Sequence, residues 1–121
     1  MDWNEFVNGL ETTQEVDIET SRGPGAPVHR TTIWPAPEGG ELYVRSLRGM
    51  DGRWWKELMA NPEAVLHANG EAMPVRATPA TDRESVEKAT NALRRKYASS
   101  PYLDSMIRPE IIDTTVRLEP R

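Results

Sequence analysis

The feature that most constrains this chain is Asn69-Gly70, set between "EAVLHA" (63–68) and "EAMPVRA" (71–77). An Asn-Gly pair adopts the left-handed conformations of a two-residue turn at low cost, so these segments must fold back on each other as a β-hairpin. Pro74 has no N–H for a ladder, so the second strand must lie at an edge or a bulge there. A second hairpin signal follows the same logic. Gly39-Gly40 in "PAPEGG" stands between "VHRTTIW" (28–34) and "ELYVRS" (41–46). "EVDIET" (15–20) alternates Val16 and Ile18 against acids, and "DTTVRLE" (113–119) reads as a last strand.

Three segments carry helical periodicity. In residues 2–10, Asp2 and Glu5 have capping-box spacing, and Trp3, Phe6, Val7 and Leu10 recur at i, i+3, i+4 and i+7. From Asp51 to about Ala60, Trp54, Trp55, Leu58 and Met59 share a face, and Asn61-Pro62 ends the run. In residues 81–97, Thr81 and Glu84 form a capping-box pair above a narrow stripe of Val86, Ala89, Leu93 and Tyr97. That stripe predicts a surface helix docked along one edge. "LRRK" (93–96) reads as its solvated, basic C-terminal turn, and "SRGPGAP" (21–27) as a loop. The order is helix, three strands, helix, two strands, helix, strand. It predicts an α+β fold: a small antiparallel barrel of about six strands with flanking helices.

With 121 residues, the chain fits one domain, 1–121. A net charge of −4 lacks the electrostatic footprint of a nucleic-acid binder, and no apolar run approaches a membrane span. The absence of cysteine excludes disulfides and thiolate chemistry and fits a cytoplasmic protein. His29 and His67 belong to no ligand spacing, so no metal is expected and both read as structural.

Against this background "YVRSLRG" (43–49) stands out. Two arginines flank a serine at a strand end, and a glycine closes the run. Strand alternation places Tyr43, Arg45 and Leu47 on one face. Val44, Ser46 and, if the chain stays extended, Arg48 take the other. On that second face a phosphate would meet a hydroxyl, a forked guanidinium and backbone N–H groups, with the helix from Asp51 adding its positive end. Gly49 would let the main chain approach closely. Arg48 is then the first candidate ligand, and Arg45 a second one, or a residue of a dimer seam or a surface ion pair.

The stretch "TTIWPAPEGGELYVRSLRGMDGRWWKELMANPEAVLHANG" (31–70) resembles the FMN-binding split-barrel superfamily. Within it, the resemblance is to small bacterial domains of unknown function near the flavin- and deazaflavin-dependent oxidoreductases, whose fold is that of pyridoxamine-phosphate oxidase. The resemblance implies a split barrel that forms a homodimer, with cofactor clefts at the interface. It implies that FMN or coenzyme F420 is held at its phosphate by Arg45, Ser46, Arg48 and Gly49. Trp54 and Trp55 would stand nearby, one packed into the barrel end and one lining the cleft or interface. Thr31, Thr32 and Ile33 would run beneath the ring, with Trp34 bordering the cleft. "LRG" replaces the lysine and extra glycine common after the serine in deazaflavin enzymes.

The expected activity is hydride transfer to a small unsaturated or aromatic acceptor. The catalytic residues are unknown, with Tyr43, Tyr97 and Tyr102 as candidate proton donors. The alternative is a non-redox binding protein or tailoring enzyme on the same fold, holding haem, another planar anionic ligand or no cofactor.

Overall fold

The computed structural model describes residues 2–121. Helix α1 (Trp3–Gly9) opens on Asp2, whose carboxylate accepts the Glu5 N–H at 2.8 Å, as the capping spacing predicts. Strands β1 (Val16–Ser21), β2 (Val28–Ile33), β3 (Ala36–Glu38) and β4 (Glu41–Val44) follow. Next come α2 (Arg53–Ala60), β5 (Glu63–Ala68) and β6 (Glu71–Pro79), then α3 (Arg83–Lys96), the short α4 (Leu103–Ile107) and β7 (Val116–Pro120).

The seven strands form one antiparallel sheet in the order β2-β1-β5-β6-β7-β4-β3. Its two edge strands are consecutive in the chain, joined only by Trp34 and Pro35. Laid flat, six inter-strand spacings would separate those edges by about 29 Å. The link from Ile33 to Ala36 spans at most about 11 Å. The sheet must therefore curl until its edges nearly meet, and the architecture is an α+β split barrel flanked by helices.

Alternation along β4 separates two cores. Leu42 and Val44 point into the barrel with Ile18, Leu66, Val75 and Leu118. Tyr43 points outward and packs with Ala36, Ala89, Leu93 and Tyr97 under α3. The Asn69-Gly70 turn closes the β5–β6 hairpin with both residues at positive φ (+53° and +79°). Pro74 pairs with Val65 where β6 runs past the end of β7, so its missing N–H breaks no ladder.

Several local expectations shift. "PAPEGG" contains a short strand, β3, which raises the count to seven; it is β3, not the 28–34 segment, that pairs with β4 across Gly39-Gly40, while β2 pairs with β1. Residues 113 and 114 close a 3₁₀ turn (Pro109–Thr114), so β7 starts at Val116 instead of 113. The cap of α3 is Asp82, which accepts the Ser85 N–H at 3.1 Å; Thr81 lies one residue too early. In α2 the inward face is Trp54, Glu57 and Leu58, while Met59 is exposed.

Glu57 goes inward because it has partners there. Thr20 Oγ1 donates to its Oε1 at 2.7 Å, and His29 Nδ1 lies 2.9 Å from its Oε2. His67 is likewise held by Glu19 at 2.9 Å, so both histidines are structural ties between elements. The "LRRK" turn is solvated at Arg94 and Arg95, as expected, but two of its cations also tie it to the rest of the fold. Arg95 reaches Glu11, Glu38 and the Pro37 carbonyl, and Lys96 donates to the Thr13 and Pro35 carbonyls.

Candidate functional site

A cleft of about 710 Å³ opens where the two edges of the barrel converge. One wall is the end of β2 and the link after it, Thr31 to Trp34. The facing wall is Arg45, Leu47 and Arg48, followed by Gly52, Arg53 and Trp54 at the start of α2. Tyr102, Ser105 and Met106 at α4 close one side, and Glu15 is the single carboxylate in the lining. The volume falls within the range of small-molecule sites.

The run after β4 decides which groups face this space. Strand pairing ends at Val44, and a turn follows in which the Gly49 N–H bonds the Ser46 carbonyl at 3.0 Å. Gly49 has φ +65°, a left-handed conformation natural for glycine, and it is buried beside Ile111. Because the chain does not stay extended, Arg48 leaves the face of Ser46 and joins Arg45 and Leu47 along the cleft. Ser46 is fully buried behind that wall. Its N–H donates to Thr114 Oγ1 at 3.0 Å, while its Oγ has no partner among the described residues and fills the space a side chain at Gly52 would need. Ser46 and Gly49 thus lie behind the cleft wall, and Trp55 packs on the barrel core outside the lining.

Arg45 is not a surface residue. It is 2% exposed, and its guanidinium donates to Thr115 Oγ1 (2.9 Å), the Met106 carbonyl (3.2 Å), the Val86 carbonyl (3.0 Å) and Thr90 Oγ1 (2.8 Å). Burial lowers its pKa to about 10, so it stays charged at neutral pH. The expected surface ion pair is absent because the strand alternation that turns Tyr43 under α3 turns Arg45 there too. Its role is to tie β4 to α3, α4 and the start of β7.

Arg48 and Arg53 are exposed on the cleft rim, and no described carboxylate lies within ion-pair distance of either. Gly52 caps α2 without a side-chain bond, and its first turn holds no acidic residue. The first-turn N–H groups therefore lack helical partners, and the positive end of the dipole meets the two guanidinium groups. In a chain of net charge −4, this rim is a concentrated positive site.

On the opposite wall, Thr32 Oγ1 donates to Asp17 at 2.9 Å, whereas Thr31 Oγ1 is buried without a partner among the described residues. Trp34 stacks on Tyr97 with ring centroids 3.9 Å apart and planes at 9°. Trp54 lines the cleft while packing on the barrel core, and Trp55 packs there from outside. Among the candidate proton donors, Tyr43 is buried against Glu41. Tyr97 donates to the Gln14 and Pro35 carbonyls, and burial raises its pKa strongly. Tyr102, 69% exposed, is the tyrosine on the cleft.

Seven of the ten residues expected from the sequence line one cleft: Thr31, Thr32, Ile33, Trp34, Arg45, Arg48 and Trp54. Arg53 was missed, although "DGRWW" carries a legible signal, a cation in the first turn of a helix after glycine. Glu15 and the α4 residues lie far from the strand end in sequence and carry no such signal.

Neither histidine lines the cleft. No cluster of three or more potential metal-binding His, Cys, Asp or Glu side chains occurs among the described residues. No helix among them is long and apolar enough to cross a membrane.

Solved structures share this architecture at low identity. A conserved hypothetical protein of Mycobacterium tuberculosis is 17% identical, with a TM-score of 0.70, over all of this chain and 81% of that one. An F420-H2 dependent reductase is 15% identical, with a TM-score of 0.67, over 88% of this chain and 95% of the other. HutZ, the haem storage protein of Vibrio cholerae, is 12% identical, with a TM-score of 0.66, over all of this chain and 92% of that one. These likenesses concern the fold. No curated protein sequence matches the chain. The family is nevertheless defined: residues 7–118 match its model, and the chain belongs to the uncharacterized proteins conserved in bacteria (DUF2255), on a split-barrel fold shared with these solved structures.

Proposed function

We propose that the cleft holds a phosphate-bearing redox cofactor, FMN or coenzyme F420, and that the protein is an oxidoreductase acting on a small unsaturated or aromatic acceptor. The observation that carries this reading is the unpaired positive rim. Arg48, Arg53 and the uncapped start of α2 meet at one end of a 710 Å³ cleft whose far wall ends in a stacked tryptophan. Unpaired guanidinium groups beside free N–H groups are matched to a phosphate dianion.

The residues fit such a group. Arg48 and Arg53 would hold the phosphate. The Thr31 hydroxyl, buried without a partner, would bond a polar ring edge, and Trp34 and Trp54 would flank the planar part. The bound cofactor would supply a hydride to one atom of the acceptor's double bond. Tyr102 or water would deliver the matching proton to the neighbouring atom.

Leu47 and Tyr102, each at least half exposed, give the cleft lining two apolar surfaces open to solvent. A second copy of the chain seated there would close the cleft as a homodimer. The haem alternative is less well served, because both histidines are tied to glutamates away from the cleft and this chain offers it no imidazole.

The test is titration of the purified protein with FMN, F420, riboflavin and haem, read by ligand fluorescence and the Soret band, together with its mass in solution. Binding of FMN or F420 that weakens about ten- to hundredfold in Arg48→Ala and Arg53→Ala supports the reading. Riboflavin, lacking the phosphate, should bind weakly and ignore both substitutions. Failure of FMN and F420 to bind at all, or haem binding in their place, overturns it.

A further inference from the structure

A second recess of about 420 Å³ adjoins the cleft, and the two share Tyr102 in their linings. Their walls also touch through the stacked pair, since Trp34 lines the cleft and Tyr97 lines the recess. The recess differs in chemistry. Thr12, Gln14, Ser99 and Ser100 give it a polar lining, and Lys96 sits at its wall.

Lys96 is the group that needs explaining. Its ammonium donates to the Thr13 carbonyl at 2.7 Å and the Pro35 carbonyl at 2.9 Å, and lies 5.0 Å from the Tyr97 ring centroid. No described carboxylate lies within ion-pair distance of it. Glu11, the acid in the same lining, pairs with Arg95 at 3.3 Å. Burial lowers the Lys96 pKa to about 8, a cost that the charge of Glu11, already paired with Arg95, offsets only in part. With two of its three N–H donors engaged, one remains for a ligand.

We propose that this recess binds the carboxylate of a small unsaturated organic acid, held by the free donor of Lys96 and the hydroxyls of Ser99, Ser100 and Thr12, and that this acid is the acceptor: one carbon of its double bond takes the hydride of the reduced cofactor, which is oxidised, and the other takes a proton from Tyr102 or water. Placing the acceptor here rests on the oxidoreductase reading, because Tyr102 and the Trp34–Tyr97 pair put the recess beside the ring end of the cleft. The anion recess itself stands without that reading.

Benzoate and its neutral isostere benzamide serve as probes, followed by amide chemical shifts of the cofactor-free protein. Benzoate should shift Thr12, Ser99, Ser100 and Tyr102 in a saturable way and bind at least about tenfold tighter than benzamide. Lys96→Met should abolish that preference. If Lys96→Met does not fold, Ser99→Phe, at an exposed position, should fill the recess and remove the benzoate shifts.

Equal binding of the two probes, no binding, shifts centred on Arg48 and Arg53, or benzoate binding retained in Ser99→Phe would each overturn the proposal. FMN and F420 titrations of the same samples separate the two readings. Cofactor binding without benzoate binding refutes the recess alone; benzoate binding without cofactor binding refutes the oxidoreductase alone.

Discussion

Arg45 and Arg48 leave the same strand end three residues apart and stand in opposite settings. Arg45 is 2% exposed and bonded to four protein acceptors contributed by α3, by Met106 of α4 and by Thr115 before β7. Arg48 is exposed at the rim of the cleft, where Arg53 and the uncapped start of α2 add to its charge. A guanidinium with four of its five N–H donors on protein acceptors specifies geometry. One that is exposed and meets no acceptor among the described residues is available to a ligand. The turn at Ser46–Gly49 produces the difference, because it rotates Arg48 out of the strand register that Arg45 still obeys.

This contrast can be broken in a graded way. Arg45→Met removes four charge-assisted hydrogen bonds to two threonine hydroxyls and two carbonyls, and should cost about 3–5 kcal/mol, read as a lowered urea midpoint. An unchanged midpoint would show that the network does not lock the strand end. Gly52→Ala comes next. Its new Cβ meets Ser46 Oγ, so it should cost about 1–3 kcal/mol, and Ser46→Ala in the same chain should recover most of that. Equal losses in both backgrounds would place the strain elsewhere.

Arg48→Ala should move stability by no more than about 0.5 kcal/mol while weakening FMN or F420 binding. That outcome is the reverse of the Arg45 result. The smallest effect belongs to Glu41, whose pKa is lowered from 4.5 by its hydrogen bond to Lys88. Because the folded value is depressed, the contribution is present above pH 4.5 and lost as pH falls through the lowered value. The stability difference between wild type and Glu41→Gln should therefore shrink towards zero in acid, as followed by thermal melts across pH. A difference that persists at low pH would assign the effect to packing.

Legibility in the sequence followed the range of the interactions. Asp2 capping α1, the Asn69-Gly70 turn and the Tyr43/Val44 alternation depend on neighbours within a few residues, and the structure keeps them. Lys96 and Glu57 went the other way. Lys96 reads as a solvated cation and no sequence signal marks Glu57, yet each is drawn inward by partners dozens of residues away. The candidate site was legible where it lies on one continuous stretch, Thr31 to Trp54. It was illegible at Glu15 and α4, which reach the cleft only through the fold.

By itself the sequence determined six of the seven strands, the Asn69-Gly70 hairpin and the grouping of cations at "YVRSLRG", because turn propensity, capping and two-residue alternation act over a few bonds. Tertiary structure decided that the sheet closes, since a two-residue link joins its opposite edges. It also decided which arginine is locked and which is free. Neighbouring side chains carry the same charge, and only packing from distant elements can assign one to protein acceptors and leave the other to a ligand.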